Sequence, residues 1–192
     1  MMTNRPLYLI IGESGSGKDT IVDRVCEMMR VNKVRSHTTR PQRPGEPDTA
    51  HCFFGPYDFT VRRDLGQFAA VTTFDGYLYG ATWHDVETGD LYIIDPEGAA
   101  SLDRERLGRP VYEVFVDALP DFRRIRMLKR GQTPEEVTRR MEHDREAFAA
   151  YREDESWDYI LNNSRADAGP VVATLARIIA SHWPKEETQC DR

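Results

Sequence analysis

Gly12-Glu13-Ser14-Gly15-Ser16-Gly17-Lys18-Asp19-Thr20 sets glycines and a lysine at the spacing G-x-x-x-x-G-K, a pattern that suits a bound polyphosphate. Glycine lets the backbone bend until successive N–H groups point inward, the helix that follows offers its positive N-terminal end, and Lys18 neutralises the outer phosphates. All nine residues, Gly12 to Thr20, are candidate ligands of a triphosphate, with Lys18 the catalytic one. The place after the lysine, ordinarily Ser or Thr with its hydroxyl on Mg²⁺, is taken by Asp19. A carboxylate ligates Mg²⁺ directly or through water, so the ion is the expected cofactor and Asp19 its candidate ligand.

A second group of residues points to another phosphate. Thr38 to Asp48 contains four Pro or Gly and presents Arg40 and Arg43, and two guanidinium groups on a stiffened loop suit bidentate contact with a phosphate. Arginines also gather at Arg123, Arg124, Arg126 and Arg130, and again at Arg139, Arg140 and Arg145, on either side of Gly131-Gln132-Thr133-Pro134. Two helices with a Gly-Pro elbow describe a lid that closes over phosphates. Most of these charges fit ordinary helix faces with i to i+4 pairs such as Glu136 with Arg140, so one or two arginines are expected to act on substrate. Asp95, at the end of a buried strand, is either a ligand-facing carboxylate or the cap of the next helix.

These residues need a frame. Leu7-Tyr8-Leu9-Ile10-Ile11 reads as a buried strand ahead of the glycine loop, and Ile21, Val22, Val25, Met28 and Met29 give the next helix its apolar side. Val31 to Ser36 reads as a second strand, Tyr57 to Leu65 as a helix, and Gln67 to Gly80 as a hairpin turning at Asp75-Gly76. A helix over 81–87, strands at Leu91 to Asp95, Val111 to Val116 and Asp158 to Leu161, helices over 121–129 and from Pro134 towards Glu153, and a final helix with Val171, Val172, Leu175, Ile178 and Ile179 complete the reading. Thr133 as cap, Pro134 and Glu135-Glu136 are strong helix-start chemistry. The tail from Pro184 is expected to fray.

Bulk properties limit the alternatives. With 192 residues, 40% hydrophobic and 30% charged, the chain suits one soluble domain. A net charge of -6 argues against a general nucleic-acid or membrane-surface binder. Cys26, Cys52 and Cys190 have no CxxC or zinc-ligand spacing, so a reducing cytoplasm is the expected compartment. The start lacks a signal-peptide pattern and no run spans a membrane. A phosphate loop, an arginine pair and an arginine-bearing lid together indicate phosphoryl transfer between two phosphorylated molecules, ATP and a small acceptor. That reaction asks for alignment, Mg²⁺ and positive charge, and for no general base, because a phosphate acceptor is already ionised.

From Gly12 to about Asn163 the chain resembles the guanylate kinase family. Gly12 to Lys18 is similar to its phosphate loop, and Ser36-x-Thr38-Thr39-Arg40-x-x-Arg43-x-Gly45-Glu46 to its signature loop. The resemblance implies an α/β P-loop kinase fold of three layers, with a five-stranded parallel sheet, an inserted mixed or antiparallel acceptor-binding subdomain and a helical lid. On this chain the core falls at 5–36, 81–125 and 156–183, the acceptor-binding part at 37–80 and the lid at 126–155. It implies Arg40, Arg43 and Tyr79 on the acceptor phosphate, Ser36 and Asp95 on guanine, Arg126, Arg130 and Asn162 on the ATP side, and Arg40, Arg130 and Arg140 in catalysis. A glutamate and a serine of the family's guanine site fall at Ala70 and Ala81, and a second phosphate-binding tyrosine at Cys52. Gly17-Lys18-Asp19 and Ala70 are similar to the ribose 1,5-bisphosphate kinases, which do not read guanine, whereas the Thr38 to Glu46 loop resembles that of nucleotide kinases, including ones for another or modified (deoxy)nucleoside monophosphate. GMP or dGMP is the expected acceptor. A non-catalytic binding domain of the same family is disfavoured by the intact Gly12 to Lys18 loop.

Overall fold

The computed structural model describes residues 5–43 and 45–183; the tail from Pro184, Cys190, the first four residues and Pro44 lie outside the described residues. The elements run β1 (Leu7–Ile11), α1 (Lys18–Met29), β2 (His37–Thr38), β3 (Cys52–Phe53), α2 (Pro56–Asp64), β4 (Phe68–Phe74), β5 (Tyr77–Thr82), α3 (Trp83–Thr88) and β6 (Leu91–Ile93). They continue with α4 (Pro96–Ser101), α5 (Arg104–Leu107), β7 (Val111–Asp117), α6 (Pro120–Lys129), α7 (Pro134–Ala147), α8 (Ala149–Asp154), β8 (Tyr159–Asn162) and α9 (Gly169–His182).

A parallel sheet in the order β6-β1-β7-β8 forms the centre. All five residues of β1 are fully buried, because the strand is covered on both faces. Its side chains alternate between two cores: Leu7, Leu9 and Ile11 pack with Phe115, Leu102 and Phe148, while Tyr8 and Ile10 pack with Val22, Val25, Leu175 and Ile179 of α1 and α9. Burying each such aliphatic side chain contributes about 1.5–3 kcal/mol.

The expected five-stranded sheet is corrected to four strands among the described residues. Val31 to Ser36 forms only one parallel bridge, Lys33 to Leu91. Asn32 is held to Asp90, whose carboxylate accepts its N–H at 2.8 Å, and Val34 donates to Leu91 at 2.8 Å. Three residues later the chain is already β2, paired with a different sheet, so the segment leaves before a ladder develops.

That second sheet has the order β3-β2-β5-β4, with β4 and β5 antiparallel. Asp75 and Gly76 both take positive φ, 53° and 78°, as a two-residue turn of the tight hairpin type requires. The long helix expected from Pro134 breaks at Phe148 into α7 and α8. Among the described residues no helix is long and apolar enough to cross a membrane.

Candidate active site

The C-terminal ends of β1, β6, β7 and β8 lie at one edge of the parallel sheet, where open α/β sheets take ligands. β1 delivers the chain straight into the glycine loop. Gly15 and Gly17 adopt φ of 77° and 94°, and a Cβ there would stand 2.6 Å from the Arg123 carbonyl oxygen and 2.5 Å from Asn163 Nδ2. Both the backbone conformation and the close packing therefore demand glycine. The loop ends at α1, whose first residue is Lys18.

Side chains from distant elements, buried except for Arg152, hold this loop from outside. Arg123 Nε donates to the Ser14 carbonyl at 2.9 Å, and its Nη atoms bind Glu13 at 2.7 Å and Asp144 at 2.8 Å. Asp144 accepts from the Ser14 N–H at 2.7 Å and from Ser14 Oγ at 3.2 Å. Arg152 bridges Glu13 to Asp117, at 2.7 Å from the latter. Asn163 Nδ2 donates to the Ser16 carbonyl at 2.7 Å.

Inside the loop, Lys18 Nζ donates to the carbonyls of Gly12 and Glu13. Burial lowers its pKa, which the carboxylates of Asp19 and Asp144 only partly counter. Asp19 faces the cleft and pairs with Lys33 at 3.3 Å. Desolvation opposes its ionisation, but Lys33 and Lys18 outweigh it and hold the carboxyl below its ordinary value. Lys33 has a second partner in Asp23, at 2.9 Å. Thr20 lies with Asp19 at the mouth of the loop.

Two adjoining cavities meet here. The larger is lined by Lys18, Ser36, Arg43, His51, Thr72, Phe74, Tyr79, Asp95 and Arg140, among others; the smaller by Gly15, Gly17, Thr20 and Arg130. Ser14, Lys18, Asp19, Arg43 and Arg140 line both. Three cations thus converge on the boundary between the two cavities. Neither Arg43 nor Arg140 forms a salt bridge among the described residues; desolvation, Arg40 and Arg140 together lower the pKa of Arg43.

Several residues singled out from the sequence stand in other roles. Arg40 is 7% exposed, bonded twice to Glu46 at 3.0 and 2.8 Å and once to the Pro41 carbonyl at 2.7 Å. Burial lowers its pKa, but the bonds to Glu46 outweigh that and raise it. The same Glu46 accepts the Arg43 N–H at 2.9 Å, so Arg40 shapes the loop from which Arg43 reaches the cleft. Arg126 spends its guanidinium on the carbonyls of Gly15, Ser16, Asn163 and Arg165, at 2.7–3.2 Å. It clamps the phosphate loop instead of pointing at a ligand. Asn162 turns to the Ser164 N–H at 2.9 Å, and its neighbour Asn163 is the one that meets the loop. Glu136 closes a capping box with Thr133, which leaves Arg140 to stack against Phe74, 5.7 Å from the ring centre, at the cleft.

Asp95 combines both readings made from the sequence. One oxygen caps α4 through the Gly98 N–H at 2.7 Å, and the other accepts from Thr72 Oγ1 at 2.8 Å in the cleft wall. Ser36 Oγ lies 2.7 Å from His51 Nδ1, while Ala70 and Ala81 are buried opposite each other in the β4–β5 ladder. His51 and Thr72 were not among the sequence candidates, since a lone histidine in a loop and a threonine in a strand carry no spacing signal.

The geometry agrees with comparisons to known proteins. A family model described as guanylate kinase matches residues 4–182. The chain is 32% identical over 196 residues to the guanylate kinase of Thermotoga maritima, covering 97% of this chain and 93% of that protein. It is 33% identical over 170 residues to that of Syntrophus aciditrophicus, covering 83% and 79%. A crystal structure of guanylate kinase from Anaplasma phagocytophilum superposes with a TM-score of 0.64 at 18% identity, covering 96% of this chain and 90% of that one, a likeness of fold. With a glycine loop, a cleft of converging cations and a family match across nearly its whole described length, the chain belongs to the guanylate kinase family of nucleoside monophosphate kinases.

Proposed function

We propose that the chain transfers the γ-phosphate of ATP to the phosphate of GMP or dGMP. The observation that carries this reading is the set Ser14, Lys18, Asp19, Arg43 and Arg140 shared by the two cavities. A phosphoryl group moving in line from one bound phosphate to another must pass such a boundary, and fixed positive charge there stabilises the charge spread over its equatorial oxygens.

In this assignment the glycine loop and Lys18 hold the donor phosphates, and Arg43 with Tyr79 holds the acceptor phosphate. Arg140 and Arg130, on the lid of residues 126–155, cover the moving group and keep water out. Ser36, and Asp95 braced by Thr72, offer polar atoms to the guanine edge from beside the acceptor part at 37–80. Asp19 fits a Mg²⁺ ligand: its carboxyl is favoured in the ionised form, it faces the cleft, and a Mg²⁺ site needs only one or two carboxylates beside phosphates and water. Bound there, Mg²⁺ would neutralise the donor phosphates and help align them.

The test is a panel. Protein and Mg·ATP are incubated with GMP, dGMP, the other nucleoside monophosphates and ribose 1,5-bisphosphate, and ADP release is followed. GMP or dGMP is expected to give the highest kcat/KM. Preference for ribose 1,5-bisphosphate, the outcome that Asp19 and Ala70 would favour, or for another nucleoside monophosphate overturns the assignment.

A further inference from the structure

We propose that Asp144 is a positioning residue for phosphotransfer, clasping α7 to the phosphate loop at Ser14 so that Arg140, one helical turn away, is aimed at the boundary between donor and acceptor. Asp144 is an acid in an inward-facing place: it is 1% exposed, seven residues after the buried Val137 and four before the buried Phe148. Burying a carboxylate is costly unless it is paired and hydrogen-bonded. Here it has three donors, the Ser14 N–H at 2.7 Å, Ser14 Oγ at 3.2 Å and Arg123 Nη2 at 2.8 Å.

Arg123 in turn holds the Ser14 carbonyl. A carboxylate from α7 and a guanidinium from α6 therefore grip one residue of the loop, Ser14, by its N–H and by its C=O.

A neighbouring, exposed face of the same helix meets the acceptor side. Arg139 pairs with Asp75 at the hairpin tip at 3.0 Å, and the rings of His143 and Phe74 lie 4.6 Å apart. Arg140 shares a face with Asp144 at i and i+4, so the register of α7 against the loop sets where its guanidinium stands. A misplacement of about 1 Å at a reacting centre costs on the order of 100-fold in rate.

The inference rests on the phosphotransfer reading above, and the experiment separates the two. Wild type, Asp144→Asn, Asp144→Ala, Arg140→Ala and the double variant Arg140→Ala/Asp144→Ala are compared in kcat and KM with whichever nucleoside monophosphate the wild type uses best. Binding of a fluorescent ATP analogue is read without acceptor, and thermal unfolding in parallel. A wrong acceptor assignment changes the assay substrate and leaves the comparison intact.

Asp144→Ala is expected to lower kcat by about 10-fold to 100-fold with little change in ATP affinity. Asp144→Asn keeps an oxygen for the Ser14 N–H and should recover part of the loss. In the Arg140→Ala background, loss of Asp144 should cost no more than about 2-fold further, the non-additivity expected of coupled residues. If Asp144→Ala is poorly folded, Asp144→Asn carries the same cycle. An unchanged kcat, fully additive losses, or tighter ATP binding in Asp144→Ala, which would mark the carboxylate as an obstacle in the anion site, overturns the proposal.

Discussion

The two halves of the cleft are held in different ways. Around the phosphate loop the supports are polar, mostly buried and drawn from distant parts of the chain: the buried Arg123 from α6, Asp144 from α7 and Asn163 after β8, with the exposed Arg152 from α8, all meet residues 13–16. The acceptor half is held largely within itself, with single reaches to Asp95 at the end of β6 and to Arg139 on α7. Arg40, Arg43 and Glu46 organise one loop among themselves, Ser36 meets His51, and Thr72 reaches Asp95. A loop braced from four sides has one geometry, as a site for a constant donor requires. A pocket held by fewer contacts to the rest of the chain has more freedom to change by single substitutions, and acceptor choice is expected to shift there while the donor site stays the same.

The largest effect is expected where the donor half has no substitute. Lys18→Ala should lower kcat by about 100-fold to 1000-fold, the range seen when one preorganised charge-stabilising donor is removed, with every acceptor in the panel affected alike. ADP release under saturating acceptor measures this. Activity within about 10-fold of wild type would show that the boundary arginines alone stabilise the transferred group and that the donor half has no irreplaceable cation.

Arg43→Ala should act on one side only. A hydrogen bond to a charged group is worth about 1.5–3 kcal/mol, so the acceptor KM should rise by about 10-fold to 100-fold while the KM for ATP stays within about 2-fold. Arg43 also lines the smaller cavity, and equal rises in both KM values would place it on the donor instead and merge the two halves into one site.

The donor half was also the more legible in the sequence, for a physical reason. Phosphate binding by backbone N–H groups imposes glycine at fixed spacing, and that requirement is visible in one dimension. Its supports were not: Arg123 sits beside Arg124 and reads as a solvated helix face, and the pairing with Asp144 spans 21 residues. A heptad count from Val137 would have marked Asp144 as facing inward. Strand alternation beyond the buried Leu161 likewise favours Asn163 over Asn162 as the inward residue. Arg40 and Arg43 look equivalent in the sequence, and only the fold reveals that Glu46 occupies the first. The parallel sheet and hairpin were legible from buried runs and Asp75-Gly76, whereas the fifth strand was not, because Val31 to Ser36 has strand-like composition and its departure to the second sheet is a tertiary choice.

The smallest effect should appear in acid, and it again divides the molecule. His37 lies between the rings of Phe54 and Phe68 in the second sheet. Burial lowers its pKa, and Asp85, 3.7 Å away, only partly restores it. His51 is lowered in the same way by burial and by Arg40. The folded-state pKa of each is thus below the unfolded value of about 6.5. As pH falls through that value the unfolded chain takes up protons that the folded chain refuses, so stability present above it is progressively lost. The loss per histidine between pH 7.5 and 5.5 cannot exceed about 1.4 kcal/mol, the limit for an imidazole that stays neutral in the fold, and it should appear as weaker amide protection in β2, β4 and β5 than in β1 and β7 after correction for intrinsic exchange. His37→Phe, which keeps an aromatic ring in the stack, should remove that residue's share and leave the part due to His51. Equal loss of protection in both sheets, or an unchanged pH response in His37→Phe, would mean that the acceptor half does not open on its own and that its stability is set by the same core as the donor half.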